Sequence, residues 1–288
     1  MKLVSSISRC LRLLAPSLSA VPRFFTQVHT SPKDYDRLLA AAQRLRGSVY
    51  LEDGAIKPHQ LKDGRHYLDL DLGSWHLLVL DGEERVRGCV RCREYSGDQS
   101  FTELSVSNSA LAKSPTLGAT LEAAVRTELS LASRLRLPFV EFGGWALAEE
   151  IRGTTEALRM ALALYGLTQA FGGAVGICAA TQRHCSASIL RRIGGQPLQH
   201  AGFELPSYHD HQYGCEMEAL RFYSWSPNPR FGIWIEDVKD ELRTIQVLTN
   251  DATNVPPAPT SGRARRRRPS LGLEQRRATC ASAERMPC

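Results

Sequence analysis

Apolar residues recur at helical spacing in five stretches of the chain, and alternating or continuous apolar runs separate those stretches. The clearest helical pattern runs from Pro32 to Arg46, where the apolar residues fall on one face. The same spacing, together with capping residues and Gly-Gly stops, predicts four further helices. They cover residues 114–136, 154–171, 186–194 and 234–242.

Short apolar runs bounded by turn residues predict six strands, over residues 66–71, 75–81, 85–95, 138–148, 174–180 and 216–223. Asp81-Gly82 is typical of a hairpin turn, so the two strands beside it run antiparallel. A hairpin followed by alternating helices and strands indicates a mixed α/β domain whose sheet is not wholly parallel.

Charge divides the chain into three parts. Residues 1–30 hold four basic residues and no acid, and residues 251–288 hold eight Arg and three acids. The middle, 31–250, is slightly acidic although the whole chain carries +6, which argues against a nucleic-acid-binding core. We therefore expect one domain over 31–250 between two tails, with the Arg- and Pro-rich tail 251–288 disordered. Residues 1–30 suit a disordered extension, a targeting presequence or a start codon assigned too early.

The eight cysteines do not form an evident disulfide framework. Three lie in the tails and five in the middle, and an odd number cannot pair completely. We expect reduced thiols and a cytoplasmic location. No apolar run reaches 18 residues, so no membrane span is expected.

The stretch from Pro138 to Gly195 carries the strongest functional pattern. It reads as a strand broken by Gly143-Gly144, a loop Glu150–Thr155, a helix, a buried strand and a short helix. A diglycine within a strand marks a bulge or the close approach of a ligand. A loop that ends at a helix N-terminus suits a phosphate or pyrophosphate.

This order resembles the GNAT (GCN5-related N-acetyltransferase) superfamily. Arg46-Gly47-Ser48-Val49-Tyr50, Asp69 with Asp71, and the hairpin that ends in Arg91 are similar to acyl-homoserine lactone (autoinducer) synthases and N-acyl amino acid synthases. The resemblance implies an α/β fold with a GNAT-like mixed, mostly antiparallel sheet, splayed central strands and flanking helices. Gly144 and Ile56 stand where those synthases have Arg and Trp, and Leu190 stands where GNAT enzymes often have a Tyr acid.

The resemblance also implies roles for individual residues. Glu141 becomes the candidate general base, and strand alternation places it on the face opposite to Val140 and Phe142. A structural salt bridge with Arg126 or Arg134 is the alternative role for Glu141. The backbone N–H groups at Ala146 and Leu147 would hold the thioester carbonyl. Arg46 and Arg91 would bind a carboxylate or the acyl carrier. The donor pyrophosphate would lie on the loop residues Arg152, Gly153, Thr154 and Thr155.

Other chemistry-bearing residues have simpler explanations. Cys89 and Cys92 lie three apart in a strand, so they face opposite sides and cannot easily share a metal ion. His184-Cys185 are adjacent at a helix start, where their side chains diverge. Tyr208–His211 fit a solvated loop or a wall of the acceptor pocket. Arg191-Arg192 suit a helix C-terminus, with docking of an acyl carrier protein or the CoA 3′-phosphate as the alternative.

The leading hypothesis is an N-acyltransferase that moves an acyl group from a thioester to an amine, such as that of an amino acid or its derivative. The donor would be acyl-CoA or an acyl-phosphopantetheine on an acyl carrier protein, and no metal is required. A non-catalytic GNAT-like module that binds an acyl carrier or a lipid is the alternative. Nucleic-acid binding depends only on the run Arg265–Arg268.

Overall fold

The protein is described here by a computed structural model, which covers residues 9–17, 19–96 and 98–251. These residues belong to one compact unit. The predicted disordered tail, 251–288, lies outside the described residues apart from Asp251.

The described residues form five α-helices and twelve strands. The helices are α1 (Pro32–Glu52), α2 (Gly118–Leu135), α3 (Glu156–Ala170), α4 (Ser186–Ile193) and α5 (Gly232–Thr244). The longer strands are β1 (Cys10–Leu14), β2 (Gln27–Thr30), β3 (Trp75–Leu80), β4 (Val86–Tyr95), β5 (Phe139–Leu147) and β6 (Val175–Thr181). They are followed by β7 (Gln196–Pro197), β8 (Gln199–His200), β9 (Phe203–Glu204), β10 (Tyr208–Asp210), β11 (Cys215–Tyr223) and β12 (Gln246–Thr249).

One mixed sheet organises the molecule. Its order is β10-β11-β6-β5-β4-β3-β1-β12-β2, with β7 added beside β11. The pairs β5–β6, β1–β12 and β12–β2 are parallel, and the remaining pairs along this path are antiparallel. The predicted mixed, mostly antiparallel sheet is confirmed.

Helices cover both faces of the sheet, because successive strand residues point to opposite sides. On the first face, α1 packs on Leu78, Leu80 and Cys89, and α2 packs on Phe139 and Ile177. On the second face, α3 and α5 cover the alternate residues of the same central strands, including Leu77 and Val79. The short helix α4 covers the second face of β6 and β11.

Residues 10–17 and 19–30 are part of this fold, and the expectation that 1–30 is a disordered or targeting extension is wrong for them. β1 is an interior strand between β3 and β12, and β2 pairs with β12 at the sheet edge. Leu11, Leu13 and Leu14 are fully buried. Arg12, which suggested an interruption, forms an ion pair with Glu84 at 3.0 Å. The domain therefore begins well before residue 31.

A second correction concerns residues 66–71, which were expected to form a strand. They form a turn, because the backbone N–H of Leu68 donates to the Asp71 side chain at 3.1 Å. The Asp71 N–H returns to the Leu68 carbonyl at 2.9 Å, so these groups are not available to a ladder. Helix α1 also runs six residues past its predicted end at Arg46, to Glu52.

The six cysteines among the described residues are unpaired. Cys89 packs under α1 and Cys92 under the opposite layer, as strand alternation predicts. Within the described residues, no helix is both long and apolar enough to cross a membrane.

Candidate functional site

The strands β5 and β6 part in the middle of the sheet. They pair from Phe139 with Val175 to Phe142 with Cys178, and no further pairing continues although both strands extend beyond that point. The parting lies next to Gly143-Gly144, where the β4–β5 register shifts and Gly144 adopts φ +65°. Glycine takes this conformation without steric cost. The predicted bulge and divergence are confirmed.

A cavity of about 800 Å³ occupies the gap and reaches both faces of the sheet. Its part on the second face is lined by Val140, Phe142, Ala161, Leu164, Gly176 and Leu190, and we call it the apolar chamber. Its part on the first face is lined by Arg46, Tyr50, His66, Arg91, Glu141 and Tyr213, and we call it the charged chamber. The sheet therefore separates the apolar chamber from the charged chamber, and the gap between β5 and β6 joins them.

Only one of the two predicted backbone donors faces this gap. The N–H of Ala148 donates to the Arg87 carbonyl on β4 at 2.8 Å. Because N–H directions alternate along a strand, Ala146 also faces β4 and Leu147 faces away from it. The Leu147 carbonyl, on the same side as its N–H, accepts from Arg152 Nε at 3.0 Å. Leu147 therefore supplies the N–H of this pair that points into the gap.

The loop before α3 forms the rim of the cavity through Arg152, Gly153 and Thr154, whereas Thr155 is the N-cap of the helix. Within the described chain, the N–H groups of Gly153 and Thr155 and of the helical residues Ala157 and Leu158 have no acceptor. Free N–H groups at a helix start suit an anion. Arg152 itself extends across the rim to Glu52 at 3.2 Å.

Arg46 and Arg91, predicted separately from the sequence, meet at one buried carboxylate. Arg46 Nη2 lies 2.7 Å from Asp71 Oδ2, and Arg91 Nη1 lies 3.4 Å from Asp71 Oδ1. Gln43 donates to the same carboxylate at 3.0 Å. Burial raises the pKa of Asp71, but the hydrogen bonds and charge of Arg46 outweigh it and lower the pKa to about 2.

This cluster leaves one positive charge in excess, because two guanidinium groups face one carboxylate. The neighbouring His66 and His76 do not add to it: burial lowers the pKa of each to about 4, and both are neutral at pH 7. Arg91 has the weaker contact with Asp71 and lines the cavity. Arg91 is therefore the group of this cluster that can hold an anionic group of a ligand, in a chamber that also contains the Glu141 carboxylate.

Glu141 lines the same chamber but is already bound by protein groups. Tyr95 Oη donates to Oε2 at 2.7 Å, and the backbone N–H groups of Ser105 and Val106 donate at 2.7 and 2.8 Å. The carboxylate faces neither Arg126 nor Arg134, the structural partners considered from the sequence; Arg126 pairs with Glu122 instead. Its role as general base remains a prediction.

The other candidates lie apart from one another. His184 Nε2 is 3.0 Å from Asp53 Oδ1, and Arg191 pairs with Glu218 at 3.1 Å. Among the described residues, no group of three His, Cys, Asp or Glu side chains could hold a metal ion. The segment 105–110 and Tyr213, both on the cavity wall, were missed, because nothing local in the sequence links them to residues 46, 91 or 141.

Comparison with solved structures shows the fold that contains this site. A CoA-dependent acyl-homoserine lactone synthase, BjaI, solved with SAM and isopentyl-CoA, superposes with a TM-score of 0.50 at 14% identity. The match covers 85% of this chain and 94% of BjaI. This chain has the GNAT fold. FeeM, an N-acyl amino acid synthase from uncultured soil microbes, matches with a TM-score of 0.47 at 12% identity, over 76% of this chain and 92% of FeeM.

Comparisons of the sequence itself gave no match. No model of a known protein family matches the sequence, and no curated protein matches it.

Proposed function

We propose that the protein is an N-acyltransferase that moves an acyl group from a thioester to an amine. The observation that carries the proposal is the gap between β5 and β6, which joins an apolar chamber to a charged chamber beside the free Leu147 N–H. An acyl thioester needs both environments, because its chain is apolar and its carbonyl gains negative charge during transfer. BjaI, the structure of similar fold, was solved with isopentyl-CoA.

The donor is acyl-CoA or an acyl-phosphopantetheine carried by an acyl carrier protein. Its phosphate would meet the free N–H groups between Gly153 and Leu158, and its carbonyl oxygen would accept from Leu147. The amine nitrogen attacks the carbonyl carbon, a C–N bond forms, and the C–S bond breaks. The departing thiolate takes a proton from water or from the acceptor, since Leu190 offers none.

The acceptor is an amine that also carries a carboxylate, such as an amino acid or a derivative of one. Arg91 supports this choice, because it is buried, lines the charged chamber and shares its single carboxylate partner with Arg46. A carboxylate paired with Arg91 would neutralise the excess positive charge of the cluster of Arg46, Arg91 and Asp71 and orient the amine towards the gap.

A non-catalytic module that binds an acyl carrier or a lipid is the second candidate. Two observations favour it: Leu190 replaces an acid on α4, and Arg152 is occupied by Glu52 and the Leu147 carbonyl. Such a module would bind the thioester and leave it intact.

One assay distinguishes the two functions. The purified protein is incubated with acyl-CoA of increasing chain length, or with acyl carrier protein, in the presence and absence of amino acids. Released thiol is measured colorimetrically, and products are identified by mass spectrometry. Amine-dependent thiol release with an N-acyl product is expected, whereas thioester binding without release would identify the non-catalytic module.

Leu147→Pro provides a sharper version of the same test. It removes the N–H that faces the gap and leaves the β4 ladder intact, because that N–H is not part of the ladder. Turnover should fall about 10²- to 10³-fold with donor binding retained. In Ala148→Pro, by contrast, the lost N–H belongs to the ladder, so the fold itself should be weakened. Full turnover in a folded Leu147→Pro protein would exclude Leu147 as the oxyanion donor.

A further inference from the structure

The Glu141 carboxylate is nearly saturated with hydrogen bonds. Oε2 accepts from Tyr95 Oη and from the Ser105 N–H, both at 2.7 Å. Oε1 accepts from the Val106 N–H at 2.8 Å. A carboxylate oxygen has two lone pairs, so one acceptor position, on Oε1, is left.

Two of these donors belong to the wall of the charged chamber. Ser105 and Val106 begin a short 3₁₀ helix, Ser105–Asn108, whose first N–H groups have no partner within the helix. The segment 105–110 lines the cavity, apart from Ser107. Leu104 and Leu111 on either side are buried in the core under α2, so the segment is held at both ends, and Glu141 fixes its first two residues.

Glu141 is itself fixed. Its backbone pairs with Arg93 of β4 and with Ile177 of β6, at a position just before the two strands part. The residue is 7% exposed. If its carboxylate turned towards an amine in the chamber, two main-chain N–H groups would lose their acceptor in a largely buried setting, which proteins avoid.

We infer that Glu141 is a positioning residue that holds the wall segment 105–110 of the charged chamber, rather than the group that removes the acceptor's proton. The inference rests on the proposed acyl transfer. Asn108 is exposed at the cavity rim and belongs to the segment whose position this anchor fixes. The amine then binds in its free-base form, and the proton that its nitrogen loses when the amide forms passes to water or to the departing thiolate.

Tyr95→Phe separates the two roles of Glu141. Tyr95 does not line the described cavity, and the substitution keeps the Glu141 carboxylate while removing one of its anchors. If Glu141 positions the wall, Tyr95→Phe and Glu141→Gln should both raise the acceptor KM, by up to about 10²-fold for Glu141→Gln. The donor KM and the shape of the pH–rate profile should not change.

Hydrogen exchange tests the anchor without any substrate. The amides of Ser105 and Val106 should exchange faster in both variants than in the parent protein, whether or not transferase activity is found. Tyr223→Phe is the matched control, because Tyr223 Oη donates to the buried Glu128 at 3.2 Å on the same face, outside the described cavity wall. It should change neither the exchange at 105–106 nor the acceptor KM.

Three results would overturn the inference. The first is unchanged exchange at Ser105 and Val106 in Glu141→Gln. The second is faster exchange there with an unaltered acceptor KM. The third is a fall in kcat of about 10²- to 10⁴-fold in Glu141→Gln with loss of the acidic limb of the pH–rate profile, while Tyr95→Phe behaves as the parent does; that combination identifies a general base. Absence of any acyl transfer would refute the proposed function and leave the exchange result to decide the anchor.

Discussion

Asp71→Asn should destabilise the protein far more than an ordinary polar substitution. The Asp71 side chain is fully buried and receives Arg46, Arg91, Gln43 and the Leu68 N–H. Asn keeps the shape of the side chain but removes its charge. Its NH₂ group takes the place of a carboxylate oxygen that accepts hydrogen bonds in the parent protein, and an NH₂ group cannot accept them. Two buried guanidinium groups would then lack a counter-ion.

The magnitude follows from two independent arguments. Breaking a buried ion pair by removing one partner costs about 3–5 kcal/mol. The pKa of Asp71, lowered from 3.8 to about 2, corresponds to about 2.4 kcal/mol of stability above pH 4. The two energies agree in order of magnitude. The larger one also includes the cost of the hydrogen-bond donors that would face the NH₂ group of Asn. A loss of about 3–5 kcal/mol should lower Tm by roughly 6–20 °C for a domain of this size.

Urea denaturation followed by circular dichroism measures this loss directly. Asp34→Asn is the control, because Asp34 is half-exposed and pairs with Arg37 on the surface; its midpoint should match that of the parent. The pH dependence is a second readout. Because the folded pKa of Asp71 is lowered, its contribution is present above about pH 4 and lost as the pH falls towards 2, and that loss should be missing in Asp71→Asn.

The reasoning about this cluster would be refuted by an Asp71→Asn protein whose free energy of unfolding lies within about 1 kcal/mol of the parent value. That result would mean that water solvates Arg46 and Arg91 in the folded state, or that a bound anion neutralises them. Repeating the measurement with increasing sulfate would show whether an anion does so, because an anion that binds only the folded state stabilises it by RT ln(1 + [anion]/Kd).

Three further predictions test the bulge, the buried imidazoles and the N-terminal strands. Gly144→Ala should lower the free energy of unfolding by about 1–2 kcal/mol through the backbone angle φ +65° alone. The added Cβ would also lie 3.2 Å from Arg46 Nη1, which adds to the loss. Gly54→Ala has a positive φ without such a contact, so thermal denaturation should show a smaller loss of stability for this control. Since burial lowers the pKa of His76 to about 4, stability should fall as the pH drops from about 6.5 to 4, and a urea titration of His76→Asn should show a smaller fall. Deleting residues 1–30 should abolish cooperative unfolding, because the core would lose five large apolar side chains: Leu11, Leu13, Leu14, Val21 and Phe25. Their burial contributes about 10 kcal/mol to the stability of the folded state. The truncated protein 9–251 keeps these side chains and is the control.

The part of the site that the sequence predicted is local in the chain. The strand with Gly143-Gly144, the loop before α3 and the strand Val175–Thr181 follow one another within about 45 residues. Each has a local signal, namely a diglycine, a helix start or an apolar run, and their order along the chain determines how they meet. For that reason both the parting of the strands and the position of the rim loop were accessible without a structure.

The part that was missed depends on contacts between distant segments. Strand alternation with Val140 and Phe142 predicts which face of the sheet Glu141 points to, but it does not predict which groups bind the carboxylate. Glu141 was therefore interpreted as a base. Its partners are backbone groups of 105 and 106, and main-chain donors leave no signature in side-chain patterns. The same holds for the turn at 68–71, where one aspartate captures a backbone N–H and two arginines and thereby prevents a strand.

The N-terminal strand shows how a misleading composition arises. Residues 1–30 are basic and free of acids, which is typical of a targeting segment, yet β1 alternates across an interior position of the sheet. Its single charge, Arg12, pairs with Glu84 from the β3–β4 hairpin, so the missing acid is supplied 72 residues away. Net charge counted within one segment says nothing about counter-ions that other segments bring. Because β1 joins β12 to β3, and β3 holds β4 beside the bulge, the N-terminal residues support the strand that sets the gap. A chain without them would lose the site together with the fold, which is why the boundary at residue 31 matters for function as well as for stability.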